Sequence, residues 1–364
     1  NYWEDLPPEY LELALWLESD RMGFLSEALD NKRFDLQREV VKNERRQSYE
    51  NVPYGKAHLR LQEILFPPPH PYHWPTIGSQ KDLDSASLED VQAFYKQYYR
   101  PSNASISITG DIYPEDTINL VDKYFGDLPS GPPIERFTRM DSSLTGTSSL
   151  ILQDNVSLTR LYLAWPTVPD FTVMQPAYDL LSMILSDGRS SRLYKNLVYG
   201  KQIAKDVKAY HDAQEIAGSF HITSTCNHDT NPDALQEELL AEIYAISSSP
   251  PNSHEMQRAF NRLESYHVRQ LEKIGGFSGK ADQLNYYNVI AGDVSMINTD
   301  INRYRNISPQ DISQAARELS NNRVILEIIP REQHSVKTSE IDRKIPPQKS
   351  RPTNFGLPRI QRHN

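Results

Sequence analysis

Apolar residues recur at helical spacing through most of the first 130 residues. A first helix is predicted from Leu6, where two prolines suit the opening turn of LPPEYLELALWLESDRMGFLSEAL. A second is predicted over residues 33–50, RFDLQREVVKNERRQSYE, a run without proline or glycine. A third, at residues 56–66, ends at three prolines, and a fourth follows Ser87, which caps SLEDVQAFYKQYY with Asp90 at position N3.

Alternating apolar positions indicate strands in both parts of the chain. NASISITGDI places Ile106 and Ile108 on one face, and SLILQDN, RLYLAWPTV and a hairpin in KDVKAYHDAQEIAGSFHITSTC follow later. The capped helix and strand that begin at Ser87 share their layout with SPQDISQAARELSNNRVILEIIP, which begins at Ser308. The similarity indicates a duplicated α+β unit with its two copies side by side; chance convergence on a capped helix followed by a strand is the alternative.

Length and composition predict two domains, since 364 residues are too many for one ordinary core. We place the first domain at residues 1–130, a connection rich in Pro, Gly and Ser at 131–148, and the second domain at 149–330. Residues 331–364 form a polar, Pro-rich segment with eight Lys or Arg and three acidic residues. We interpret that segment as a linker or an extended arm.

Charge and residue content exclude several classes of function. The net charge of −9 and the lack of a basic stripe interleaved with aromatics argue against nucleic-acid binding, and no apolar run approaches the length of a membrane span. The sole cysteine, Cys226, excludes an internal disulfide and a cysteine-based zinc cage. Because the chain opens with NYWEDLPPEY, without an initiator Met, we expect it to be an internal piece of a longer protein.

Glu44, in the second predicted helix, is the candidate for chemistry. Steps of three, four and seven residues from Glu44 reach Gln37, Val40, Val41, Gln47 and Ser48. The carboxylate therefore shares a helix face with two valines, and burying it without a partner would be costly. One interpretation is a partly exposed Glu paired with Arg45 or with a cation one turn away. The other is a metal ligand whose companions come from elsewhere.

Several blocks of the sequence, in order, resemble the insulinase/pitrilysin family of zinc peptidases, the inverzincins. They are NYWEDLPPEYLELALWLESDRMG, QREVVKNERRQSYENVPYG, HPYHWPTIGS, YRPSNASISITGDI, YFGDLP and GRSSRLYKNLVYGKQIA. The resemblance covers nearly all of residues 1–330. It implies two homologous α+β domains, each a mostly antiparallel sheet covered by helices, the first zinc-binding and the second non-catalytic.

The resemblance also implies a metal site that this chain only partly supplies. The family's distal zinc-ligating Glu falls on Glu44, and an acidic position seven residues earlier, in the outer shell of the site, is Gln37 here. Two histidines and a general-base Glu lie in an HxxEH helix in the family, and none of the ten histidines here sits in that motif. We therefore expect the general base upstream of Asn1, and this chain alone to be inactive.

Two functional hypotheses follow from the resemblance. The first is a Zn²⁺-dependent endopeptidase that hydrolyses peptides or small unfolded proteins in a closed chamber, with a second peptidase-like half as partner and the periplasm as the favoured compartment. The second is a non-catalytic scaffold or substrate-binding subunit of the same family. For Arg189, Arg192 and Tyr194 the family suggests a place near the chamber wall, and helix capping or domain packing is the alternative.

Overall fold

The computed structural model describes residues 1–131 and 133–331, of which residues 1–330 form one compact unit. Six helices precede the sheet: α1 (Leu11–Ala28), α2 (Asn31–Arg45), α3 (Ala57–Leu65), α4 (Gln80–Ser85), α5 (Leu88–Tyr98) and α6 (Pro114–Phe125). Two strands follow, β1 (Thr147–Asp154) and β2 (Arg160–Thr167), then α7 (Gln175–Ser186), β3 (Ala204–Ala213) and β4 (Gly218–Cys226). The remaining elements are α8 (Pro232–Ser248), α9 (Ser253–Gln270), α10 (Lys280–Tyr286), α11 (Ile301–Arg305), α12 (Pro309–Glu318) and β5 (Arg323–Pro330).

Side-chain caps define where several helices begin. Asp30 accepts a hydrogen bond from the backbone N–H of Arg33 at 2.8 Å and so starts α2. The predicted capping box of Ser87 and Asp90 is present at α5, and the equivalent box of Ser308 and Asp311 opens α12. The helix predicted over residues 33–50 is confirmed, with its last turn, Arg46–Glu50, in the π conformation.

One five-stranded sheet in the order β1-β5-β2-β4-β3 organises the core. β1 and β5 are parallel, and the other neighbours are antiparallel. Alternation along β2 buries both faces: Leu161 and Leu163 point into a core covered by α7, α8 and α12, whereas Tyr162 and Ala164 point into a second core with α3. The predicted strands of residues 149 onward and the β3–β4 hairpin are confirmed.

The strand predicted in NASISITGDI is wrong for this structure. Ala104 has an extended backbone (φ −123°, ψ 152°), but residues 104–109 pair with no strand among the described residues. The physical reason is that a strand needs a neighbour, and every strand of the sheet lies at residue 147 or later. Here Ser105 instead accepts hydrogen bonds from the amides of Asn285 and Asn288, at 3.4 and 2.9 Å.

The predicted class, helices with a mostly antiparallel sheet, is therefore confirmed in its coarse form. The described residues contain one sheet, so the duplication into two homologous domains stays a prediction, as do the boundaries at residues 130, 148 and 330. The linker predicted at 331–364 lies almost entirely outside the described residues. Within the described part of the chain, no helix has the length and apolar character needed to cross a membrane.

Candidate functional site

Glu44 lies in the last turn of α2 with its side chain exposed to solvent. No residue of α2 is buried; of the two valines that share the face of Glu44, Val40 is 49% exposed and Val41 is partly exposed. Gln37, two turns before Glu44, is also exposed. The face predicted to carry the metal ligand is thus an open surface that mixes apolar side chains with one carboxylate.

Lys42 and Arg45, the cations of α2 closest to Glu44 in sequence, are engaged by other residues. Nε of Arg45 lies 3.2 Å from Oε1 of Glu50, and its Nη1 donates to the carbonyl oxygen of Gly78. Nζ of Lys42 pairs with Glu39 at 2.8 Å and with Asp84 at 2.7 Å, which connects α2 to α4 and raises the pKa of Lys42. Glu44 therefore has no ion-pair partner in the described part of the chain.

The described residues do not assemble a zinc site by themselves. No group of three or more His, Cys, Asp or Glu side chains in residues 1–131 and 133–331 is arranged to hold a metal ion. Protein zinc sites usually have at least three protein ligands, and Glu44 offers one carboxylate. No reaction step is therefore assigned to a metal held by this chain alone.

A buried polar network that the sequence did not predict joins β2, α7 and β3. Nδ1 of His211 lies 2.7 Å from Oδ1 of Asp179, and Nε2 of His211 lies 2.9 Å from the hydroxyl oxygen of Thr167. Tyr304 donates to Oδ2 of Asp179 at 2.8 Å, and burial raises the pKa of Tyr304. A hydroxyl, imidazole and carboxylate in this order also occur in hydrolases, but the His211 side chain has no exposed surface, so the network stabilises the fold.

Arg192 also has a structural role. Its Nε and Nη2 lie 2.6 and 2.9 Å from the two carboxylate oxygens of Glu255, a bidentate pair, and Glu242 is 3.5 Å away. Glu255 simultaneously completes the capping box of α9 with Asn252. The structure therefore supports the packing interpretation of Arg192. The sequence signal that could have been noticed is Glu255 at position N3 of α9, a capping-box carboxylate that is also available to an arginine.

Two of the cavities in the described residues are lined by polar or charged side chains. The first, of about 170 Å³, is lined by His267, Tyr287 and Asp300, and the Tyr287 hydroxyl donates to Oδ2 of Asp300 at 3.0 Å. The second, of about 310 Å³, lies where the loop of Tyr54 meets the sheet and is lined by Arg160 and Lys205. Neither cavity is lined by Glu44.

Comparison with known proteins identifies the family. A model described as the Peptidase M16 inactive domain matches residues 85–263. "Zinc protease PqqE" of Helicobacter pylori is 26% identical over 316 residues, which cover 85% of this chain and 68% of that protein. An uncharacterized zinc protease of Rickettsia felis is 27% identical over 202 residues, 55% of this chain and 47% of that protein. YmxG of Bacillus subtilis, also named an uncharacterized zinc protease, is 22% identical over 323 residues and 75% of its length is covered.

Solved structures agree on the fold. A protease from Helicobacter pylori superposes with a TM-score of 0.78 at 23% identity, over 89% of this chain and 78% of that chain. The first half of the periplasmic protease PqqL from Escherichia coli gives a TM-score of 0.66 at 14% identity and has 71% of its length covered. The chain belongs to the insulinase/pitrilysin (M16) family of peptidases, as its sequence blocks predicted.

Proposed function

We propose that this chain is part of a zinc-dependent endopeptidase, to which it supplies Glu44 as one metal ligand and part of the wall of a chamber that encloses peptides or small unfolded proteins. The observation that carries the proposal is that the Glu44 side chain is exposed and unpaired among the described residues. Its carboxylate is exposed, shares a helix face with Val40 and Val41, and has no ion-pair partner among the described residues. Gln37, seven residues earlier on the same helix, occupies the position that the family resemblance gives to a group in the outer shell of the metal site.

The lengths of the relatives support a second half as partner. The chain covers 71% of the first half of Escherichia coli PqqL and 37% of the whole of that protein. We infer that the partner is a second peptidase-like half, on the same full-length chain or on another subunit. The periplasm, named for PqqL, is the compartment that we propose. Osmotic-shock release of the natural protein tests that compartment.

Zinc content tests the role of Glu44. In the full-length gene product that contains this sequence, we expect one zinc per molecule, and we expect Glu44→Gln to weaken zinc binding at least about tenfold because a carboxylate ligand becomes an amide. The matched control is Glu39→Gln on the same helix, which removes an exposed ion pair with Lys42. Elemental analysis after dialysis against a chelator gives the readout. An unchanged zinc content in the Glu44 variant contradicts the proposal.

The second candidate is a non-catalytic scaffold or substrate-binding subunit, and the match to a domain described as inactive favours it. The two candidate functions require different sequences upstream of Asn1. An intact HxxEH about 70–80 residues before Glu44 supports the peptidase, and a degenerate motif supports the scaffold. Cleavage of an unstructured peptide by the full-length protein, inhibited by a chelator and restored by zinc, decides between them.

A further inference from the structure

The cavity of about 310 Å³ has an unusual charge arrangement. It lies between the loop that carries Pro53 and Tyr54, the turn at residues 155–158, and the ends of β2, β3 and β4. Its charged lining consists of Arg160, Lys205 and Asp206. A cavity of this size accommodates one or two amino-acid residues.

The guanidinium of Arg160 is held in a fixed orientation. Sheet register places Arg160 opposite Thr225, and Thr225 opposite Asp206, in one row across β2, β4 and β3. Nε of Arg160 donates to the Thr225 hydroxyl at 2.8 Å, and that hydroxyl donates to Oδ1 of Asp206 at 2.9 Å. The guanidinium carbon also lies 3.9 Å from the ring centroid of Tyr54. Thr225 and Tyr54 are therefore positioning residues for Arg160.

The nearby carboxylates of Asp206 and Asp154 accept hydrogen bonds from groups other than Arg160 and Lys205. Oδ1 of Asp206 accepts from both the backbone N–H and the hydroxyl of Thr225. The two oxygens of Asp154 accept from the backbone N–H groups of Tyr54 and Asn155, each at 2.8 Å. Within the described residues, neither Arg160 nor Lys205 forms an ion pair. Two cations at one cavity thus retain donors for a ligand.

Lys205 reaches the same cavity because β3 is irregular there. The register between β3 and β4 shifts between Ala204 and Asp206, which leaves Lys205 outside the regular pairing. Such a bulge re-aims a side chain. The result is one planar fork of N–H donors and one flexible ammonium at a single cavity, a combination suited to an anion.

We propose that this cavity binds a carboxylate group of a bound peptide, with Arg160 as the bidentate partner and Lys205 as the second charge. A guanidinium fork matches the two oxygens of a carboxylate. The adjacent charge of Asp206 makes a dianion such as phosphate a poorer ligand than a monoanionic carboxylate. That the ligand is a peptide rests on the proposed function, whereas its carboxylate group is inferred from the charged side chains of the cavity.

Calorimetric titration of the full chain tests the site in a buffer that contains a chelator, so zinc and proteolysis do not enter. The probes are an acetylated alanine pentapeptide with a free C-terminal carboxylate, its C-terminal amide, the amide with a central glutamate, and inorganic phosphate. We expect the free acid to bind at least about tenfold more tightly than the plain amide, since a charge-assisted pair is lost in the amide. Binding of the glutamate amide identifies side-chain carboxylates as a further source of the ligand.

Variants assign the binding to the cavity. We expect Arg160→Gln to remove the preference for the free acid, Arg160→Lys to restore part of it, and Arg189→Gln, at an exposed arginine elsewhere, to leave it unchanged. Thermal melting verifies that each variant is folded. Equal affinity for acid and amide, an unchanged preference in Arg160→Gln, or tighter binding of phosphate than of the acid overturns the proposal. Because the zinc content of Glu44→Gln is a separate readout, the two proposals fail independently.

Discussion

Nδ1 of His211 lies 2.7 Å from Oδ1 of Asp179, and this contact joins β3 to α7 inside the core. Asp179 also accepts from Tyr304 at 2.8 Å, while its own side chain is only 20% exposed. We expect Asp179→Ala to lower the free energy of unfolding by about 3–5 kcal/mol, because the side chains of His211, Tyr304 and Gln175 lose their acceptor.

Urea denaturation measures this loss. The control is Asp187→Ala, which removes an exposed ion pair with Arg262 at 2.7 Å. That control should cost less than about 1 kcal/mol. Similar losses in the two variants contradict a special role for the Asp179 network.

His221 makes stability depend on pH. Burial, with smaller contributions from His58 and His211, lowers the pKa of His221 from 6.5 to about 3. Between these two values the unfolded chain binds a proton at this position and the folded protein does not, so stability is lost as the pH falls from about 6.5 toward 3.

The variant His221→Gln should remove this component, since glutamine does not titrate and can still bond to the Ser219 hydroxyl, 2.8 Å from Nε2 of His221. Unfolding free energies of variant and wild type, measured at several pH values, give the difference. The exposed His228→Gln is the control. A difference that does not change with pH would show that His221 titrates normally.

The contribution of the Arg192–Glu255 pair to stability should fall when the guanidinium is replaced by a cation of the same charge that cannot bond to both carboxylate oxygens. We expect Arg192→Lys to cost about 1–2 kcal/mol of stability, because lysine cannot make both hydrogen bonds to the carboxylate. Arg189→Lys, at an exposed position three residues earlier, should change stability by less than about 0.5 kcal/mol. Denaturant midpoints of the two variants provide the comparison, and equal midpoints argue against the fork.

Gln37 gives a prediction that depends on the proposed zinc site. A carboxylate in the outer shell raises the basicity of a metal ligand, so in the full-length protein Gln37→Glu should tighten zinc binding about tenfold. Competition with a fluorescent zinc chelator measures the change. Asp35→Asn, on the same helix at a position paired with Arg38, is the control. Weaker or unchanged zinc binding in Gln37→Glu counts against an outer-shell position for this residue.

The sequence was informative where the determinants are local. The capping box of Ser308 and Asp311 and the apolar run of β2 were both readable from neighbouring residues, and the structure contains both. NASISITGDI was misread because its alternation describes one strand, whereas pairing depends on a neighbour that a local pattern does not reveal.

The polar sites depend on packing between distant segments. Asp179 and His211 are 32 residues apart, and Arg160 and Thr225 are 65 apart. Their contact follows from the register of β2, β3 and β4 and from how α7 lies on them, which no spacing rule supplies. Glu44 could be proposed as a zinc ligand from the sequence because the family blocks around it are contiguous, and that role stays a prediction.

The position of β5 has a consequence for biosynthesis. Among the described strands β1 pairs with β5 alone, and β5 is the last of these strands in sequence and lies between β1 and β2. During translation, β1 therefore has no neighbouring strand until the residues up to β5 have left the ribosome. Pairing of β1 with β5 requires closure of a long loop, which is slow. A nascent chain that stops before Arg323 would leave β1 without a strand partner and the adjacent edge of β2 open to chaperones, and emergence of β5 is the event that joins β1 to the sheet.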